Sequence, residues 1–289
     1  MISDYRCFFC LAKSFEKLLQ KEPISSQAKN SFTLDMANLY ISRHEKVSSP
    51  EFARDLHRIL RSYSNNNDPY KTAKRQSNIQ ALVILPEMKD IIKQSSDPFI
   101  TALRLAIAGN VIDFAANQDF NLKNTISKSL TSGFAIDHSE QLRREVNNAN
   151  SILYLGDNAG EIVFDKLFIQ TMNHKRIIYA VRGMPVINDA TMEDADYIGM
   201  KEVAKVIPNG YDAPSTIIDK SSEEFRSYFY SSSLIIAKGQ GNLEGLLPLN
   251  DKRIFSLLMV KCDVMAEFLK VEKDSFVVFN ASILNSVTN

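Results

Sequence analysis

Three short polar clusters in this chain carry residues that could do chemistry. They are Gly156-Asp157-Asn158-Ala159-Gly160-Glu161, Arg182-Gly183-Met184-Pro185-Val186-Ile187-Asn188-Asp189 and Lys238-Gly239-Gln240-Gly241-Asn242. Each follows an apolar run, Ile152–Leu155, Ile177–Val181 and Leu234–Ala237 respectively. A parallel α/β sheet gathers such strand-end loops into one crevice, so clusters far apart in sequence can meet. Carboxylates and side-chain carbonyls suit hard divalent cations such as magnesium or manganese, which keep some waters and bind substrate phosphate. Asp157, Asn158 and Asp189 supply that donor set. Ala159 and Gly160 would open a helix whose free N–H groups and dipole favour an anion. Arg182 and Lys238 could hold phosphate oxygens and offset transition-state charge, with Asn188 and Gly239 beside them as further substrate contacts. Asp157 or Glu161 would position or activate water; attack by Asp157 itself, through a covalent intermediate, stays open. Any one of these loops could be no more than a helix cap. Their recurrence at three strand ends of one sheet favours a site.

The elements that must position these residues divide the chain into two parts, 1–148 and 149–289. From Cys7 to about Asn148 apolar residues recur at helical spacing, as in Leu56, Ile59, Leu60 and Tyr63, and the whole stretch reads as helix. Ser49-Pro50 and Asp97-Pro98 look like caps followed by proline at the first helical position, and Asn65-Asn66-Asn67-Asp68-Pro69 is an interior loop. After residue 150 short β-branched runs alternate with glycine-containing turns and amphipathic stretches, the pattern of βα units on a mainly parallel sheet. Strands are expected near Ser151–Leu155, Arg176–Val181, Lys201–Val206, Leu234–Ala237, Phe255–Val260 and Phe276–Phe279.

Other residues have two readings. Asn110 shares a helical stripe with Ile107, Val111 and Phe114, so its amide is either a structural hydrogen bond between helices or a substrate contact; Asp113 would serve the same cleft. Tyr211-Asp212-Ala213-Pro214-Ser215-Thr216 is a loop that could close on substrate. Cys7 and Cys10 have Cys-x-x-Cys spacing, but a zinc site needs four ligands and no second pair exists, so these thiols and Cys262 are expected as reduced core residues. The four histidines lack ligand spacing.

Gross composition narrows the function classes. The 289 residues include 34 basic and 34 acidic side chains, so no global field favours nucleic acid or an anionic membrane. No apolar run approaches the ~20 residues of a membrane span, and Met1–Arg6 lacks the apolar core of a secretion signal, which predicts a cytoplasmic protein.

The three loops resemble the motifs of the damage-control phosphatases, and the likeness extends to Cys7-Phe8-Phe9-Cys10, to the segment from Arg104 to Asp113, and to Val260-Lys261-Cys262. The N-terminal Cys-x-x-Cys resembles that of a short microbial branch. The resemblance implies an all-helical N-terminal domain packed on a Rossmann-like three-layer α/β/α domain. It also implies a divalent metal (Mn, Mg, Co or Ni) at the positions of Asp157, Asn158 and Asp189, and hydrolysis of phosphate monoesters of sugar phosphates or damaged phosphorylated metabolites. Two other functions compete. Ile152-Leu-Tyr-Leu-Gly156 resembles the first strand and turn of an adenosylmethionine-dependent methyltransferase, but Arg182-Gly183 stands where a ribose-binding acid is wanted. A non-catalytic metabolite-binding protein is the other, because fold does not fix function.

Overall fold

The computed structural model describes residues 4–43, 46–109, 126 and 129–280. Five helices come first: α1 (Tyr5–Lys21), α2 (Ser26–Arg43), α3 (Ser49–Ser64), α4 (Lys71–Gln94) and α5 (Pro98–Ala108). There follow β1 (Phe134–Asp137), α6 (Ser139–Asn148), β2 (Ile152–Leu155), α7 (Glu161–Met172), β3 (Ile177–Val181), α8 (Met192–Tyr197) and β4 (Lys205–Pro208). The chain continues through α9 (Glu223–Ser231), β5 (Leu234–Lys238), α10 (Gly239–Leu246), β6 (Ile254–Met259), α11 (Asp263–Leu269) and β7 (Phe276–Phe279).

The strands form one sheet in the order β1-β7-β6-β5-β2-β3-β4, with only the β6–β7 pairing antiparallel. The chain moves outward from β2 through β3 to β4, then returns to β5 on the other side of β2. That reversal leaves a crevice beyond the C-terminal ends of β2 and β5, where an open α/β sheet accepts ligands. Period-2 alternation gives each strand two apolar faces. Ile152, Tyr154, Ile177, Tyr179, Leu234 and Ile236 join a core with α5 and α7. Leu153, Leu155, Ile178, Ala180, Ile235 and Ala237 meet Phe225 and Phe229 of α9 on the opposite face. The result is three layers, α/β/α, as the sequence predicts.

Helices α1 to α3 hold a core of their own, built on Phe15, Leu18, Phe32, Phe52, Leu56 and Leu60. The two parts of the chain are joined by α5, which lies along α7. Its Ala102 and Ala106 are fully buried, and a Cβ at Gly109 would come within 2.9 Å of the Phe164 ring. Asp97 caps α5 as expected, accepting from the Ile100 N–H at 3.1 Å. At α3 the cap is Ser48 rather than Ser49, with the Glu51 carboxylate accepting from the Ser48 N–H at 3.2 Å.

Two expectations are corrected. The stretch up to residue 148 is not all helix: Phe134–Asp137 forms β1 and pairs with β7. A four-residue edge strand is too short for its alternation to stand out. The strand expected at Lys201–Val206 begins later, at Lys205, because Met200–Glu202 closes a 3-10 turn anchored by fully buried Met200.

Candidate active site

The three polar loops converge at the β2–β5 crevice. Asn158 and Asp189 form an isolated antiparallel bridge that ties the loop after β2 to the loop after β3. The Ala159 N–H donates to the Asn188 carbonyl at 2.9 Å, and the Ala190 N–H donates to the Asp157 carbonyl at 2.7 Å. These backbone bonds hold the Asp157 and Asp189 side chains, both buried, next to one another.

Arg182, at the end of β3, is buried between them. Its Nε donates to Asp189 Oδ2 at 2.5 Å, and its Nη2 lies 3.5 Å from Asp157 Oδ1. Its Nη1 donates to Asn242 Oδ1 at 3.0 Å. Asn242, in the first half of α10, also receives Thr216 Oγ1 at 2.8 Å and donates to the Gly156 carbonyl at 3.2 Å. A single buried amide thus links the ends of β2, β3 and β5 to the Tyr211–Thr216 loop.

A second network lies underneath. Lys238 is fully buried, and its Nζ donates to the Ala106 carbonyl at 2.7 Å, Glu161 Oε1 at 2.5 Å and Asp165 Oδ1 at 2.6 Å. Those bonds use all three ammonium donors. They leave none for a phosphate oxygen, the role its strand-end position suggests. Asp165 also accepts from the hydroxyls of Tyr154 at 2.8 Å and Tyr179 at 2.7 Å. Glu161 reaches up to Asn158, whose Nδ2 donates to Glu161 Oε2 at 3.0 Å and to Asp157 Oδ2 at 2.8 Å. With the NH2 group held by two carboxylates, the amide orientation is fixed and its Oδ1 is turned away from them.

Two of the N–H groups that lead into α7 are already taken by side chains. The Asn158 N–H meets Glu161 Oε2 at 3.3 Å, and the Gly160 N–H donates to Asn78 Oδ1 of α4 at 2.7 Å. Asn78 is held in turn by Asp194, which Lys74 also approaches at 3.3 Å. Gly160 itself sits at φ 79°, a conformation suited to glycine.

Electrostatically the site is short of positive charge. Burial, with the Asp189 and Glu161 charges nearby, pushes the Asp157 carboxyl well above the usual range, although Arg182 draws it back. Burial raises Asp189 as well, despite its bond to Arg182. Two such buried carboxylates are hard-oxygen donors whose charge a divalent cation would neutralise, so Asp157 and Asp189 fit one, while Asn158 as placed turns its NH2 group rather than its oxygen toward Asp157. Among the described residues no group of three His, Cys, Asp or Glu side chains is placed to hold a metal ion.

The remaining sequence candidates are dispersed. The Asn188 side chain is exposed at the mouth, Gly239 is buried at φ 79° as the first residue of α10, and Asn110 and Asp113 lie outside the described residues. Asp212 of the Tyr211–Thr216 loop is gripped by Arg58 and Arg61 of α3, at 2.6 and 2.8 Å. The thiols are not core residues: Cys7 and Cys262 are half-buried and Cys10 is exposed. Sequence reasoning named the segments that hold Asn242, Thr216 and Lys261 but gave these three side chains no role of their own. Lys261 follows β6, and its charge lowers the carboxyl pKa of both Asp157 and Asp189. The strand-end rule that found the other loops points to it too.

Comparison with known proteins gives one answer. Residues 3–277 match the damage-control phosphatase ARMT1-like domain. A damage-control phosphatase of Pyrococcus horikoshii is 34% identical over 280 residues, covering 95% of this chain and 96% of its own. A damage-control phosphatase of Archaeoglobus fulgidus is 31% identical, covering 86% and 88%. An uncharacterized protein of Methanocaldococcus jannaschii is 40% identical, covering 75% of each. The crystal structure of the DUF89 family protein from Pyrococcus horikoshii superposes with a TM-score of 0.86 at 32% identity, covering 97% of this chain and 99% of that one. With the domain matched along nearly its whole length, the chain belongs to the damage-control phosphatase ARMT1-like family.

Proposed function

We propose that this protein is a divalent-metal-dependent phosphatase acting on phosphate monoesters of small phosphorylated metabolites. Two relatives that align along most of the chain are named damage-control phosphatases, which supports the reaction class. The observation that carries the metal dependence is the juxtaposition of buried Asp157 and Asp189 at the Asn158–Asp189 bridge. A bound Mn, Mg, Co or Ni ion, held by Asp157, Asn158 and Asp189, would supply Lewis-acid polarisation of the phosphoryl group.

The chain's own residues do the rest. Arg182, locked by Asp189 and Asn242, presents a pre-oriented guanidinium to charge that builds on the phosphoryl oxygens. Lys261 adds a flexible ammonium from the other side of the carboxylates. The first N–H groups of α10, from Gly239 onward, suit a phosphate oxygen at a helix start. Asn188, exposed at the mouth, is placed to touch the substrate. Glu161 and Lys238 are positioning residues: they orient Asn158 from below rather than meet the substrate. Asp157 is the reactive carboxylate. As a base it takes the proton of a water that attacks phosphorus, and the ester P–O bond breaks as the alcohol leaves with that proton. As a nucleophile it bonds phosphorus as the P–O bond to the alcohol breaks, the alcohol takes a proton from solvent, and water then cleaves the phosphoryl-aspartate to phosphate and the free carboxylate.

A panel of phosphorylated metabolites, assayed with and without each cation, tests this reading. Metal-dependent phosphate release that Asp157→Ala abolishes is expected. No release from any ester with any cation would overturn it. Borohydride reduction after an acid quench separates the two routes, because a phosphoryl-aspartate, reduced to homoserine at position 157, forms only if Asp157 attacks.

A further inference from the structure

We propose that the cavity between α1 and the start of α11 receives the alcohol portion of the phosphate ester and selects bulky, apolar, polarisable alcohols. This rests on the phosphatase reading and extends it to the substrate class. The cavity holds about 420 Å³ and is lined by Cys7, Cys10, Leu11, Gln240, Cys262 and Met265. That volume falls within the range of small-molecule pockets. Its far wall is fixed, because Arg6 of α1 grips Glu267 of α11 with bonds of 2.7 and 2.8 Å.

The first turn of α10 connects this cavity to the phosphoryl site. Asn242 faces inward to Arg182, while Gln240, two residues earlier, faces the cavity and donates to Glu244 at 2.9 Å and to Cys262 Sγ at 3.3 Å. The Lys261 N–H donates to Gln240 Oε1 at 3.2 Å. Lys261 lines the cavity while its charge is felt by Asp157 and Asp189. A phosphate held at those carboxylates and the α10 N-terminus would lie next to the cavity wall that Lys261 and Gln240 form.

The lining gives the chemistry of the occupant. Thiols, a thioether and a leucine are soft and apolar, and free cysteine behaves as a small hydrophobe. Burial, with Cys262 and Cys7 close by, raises the Cys10 pKa, so this sulfur stays a neutral thiol. Most charged groups of the lining have partners: Arg6 is paired with Asp4 and Glu267, Glu244 accepts from Gln240, and Lys273 stands 4.0 Å from Asp263, while Lys261 lies on the side of the phosphoryl site. A polyhydroxylated sugar would find few partners here, whereas a flat apolar group would fill the space.

The test compares kcat/KM for 1-naphthyl phosphate and glycerol 2-phosphate on the metal-loaded full chain. The ratio is measured for the native protein, for Cys10→Trp, and for native protein carbamidomethylated at Cys10, which fills the cavity without relying on a variant to fold. Filling the cavity should lower the naphthyl-to-glycerol ratio by roughly tenfold or more. In a second measurement, 1-naphthyl phosphate should slow iodoacetamide labelling of Cys10 and Cys262 and glycerol 2-phosphate should not. An unchanged ratio, or equal protection by both esters, overturns the cavity assignment while turnover of either ester leaves the phosphatase reading standing. No turnover of 1-naphthyl phosphate by native protein that hydrolyses other esters also overturns the cavity assignment and leaves the phosphatase reading standing.

Discussion

Arg182 donates from Nε to Asp189 at 2.5 Å inside a site where neither side chain meets solvent. The bond gives Asp189 a structural part beside the metal-binding role proposed for it. Asp189→Asn keeps an acceptor for Nε but removes a charge, and a hydrogen bond to a charged group is worth about 1.5–3 kcal/mol. Stability to urea should nevertheless move little, because losing the charge also removes the cost of burying a carboxylate whose ionisation the site already disfavours. Metal affinity and turnover should fall by at least about tenfold, equivalent to about 1.4 kcal/mol. Full metal-dependent turnover in Asp189→Asn would remove Asp189 from the site.

Chelation should abolish turnover without unfolding the chain. The sheet core, the Lys238 network and the Arg182 bonds are made between protein groups alone. Far-UV circular dichroism should be unchanged by EDTA, and re-addition of manganese should raise Tm, since a ligand that binds only the native state stabilises it. Loss of the dichroism signal on chelation would refute the assignment.

Lys238 should behave as a structural ion. Lys238→Met leaves Glu161 and Asp165 buried without their shared cation, and breaking such a buried pair costs about 3–5 kcal/mol. Urea unfolding measures it. A phosphate ligand would instead give a protein of normal stability with a raised KM.

This lysine also shows what was legible in the sequence. Strand-end position anticipated that Asp157, Asn158, Arg182 and Asp189 would come together at one edge of the sheet, because a parallel sheet puts its βα loops there. Position alone does not give direction, but the pleat does. Leu234, Ile236 and Lys238 share a strand face, the same face as Tyr154 and Tyr179, and that face meets α7 rather than solvent. Less could be read of the α7 N-terminus. Its Gly160 N–H is taken by Asn78, 82 residues earlier, a contact that no local pattern encodes. Asn110 lies outside the described residues.

Acid should weaken the fold through His57. It is buried against Phe15 and Tyr70, with ring centroids 4.7 and 6.0 Å away. Burial first, then the Arg61 charge, pushes its pKa down from 6.5 to about 4, with Asp212 opposing. The folded state thus binds this proton less readily than the unfolded chain. Its contribution is fully present above pH 6.5 and is lost as pH falls toward 4, up to roughly 3 kcal/mol. His57→Phe should flatten the stability profile across that window relative to the native protein. An identical slope in the two proteins would contradict this.

Lys261 gives the converse of Lys238. It is exposed after β6, yet its charge reaches both Asp157 and Asp189. Lys261→Met removes no buried partner, so urea unfolding should match the native protein. Turnover should not. Without the ammonium, charge building on the phosphoryl oxygens loses one of its two flanking cations, and kcat/KM should drop by about tenfold or more. Lys261→Arg should recover part of the loss, because a guanidinium restores the charge with a different reach. If Lys261→Met were as active as the native chain at every cation concentration, the phosphate would have to be held by Arg182 and the α10 N-terminus alone, and Lys261 would belong only to the cavity wall.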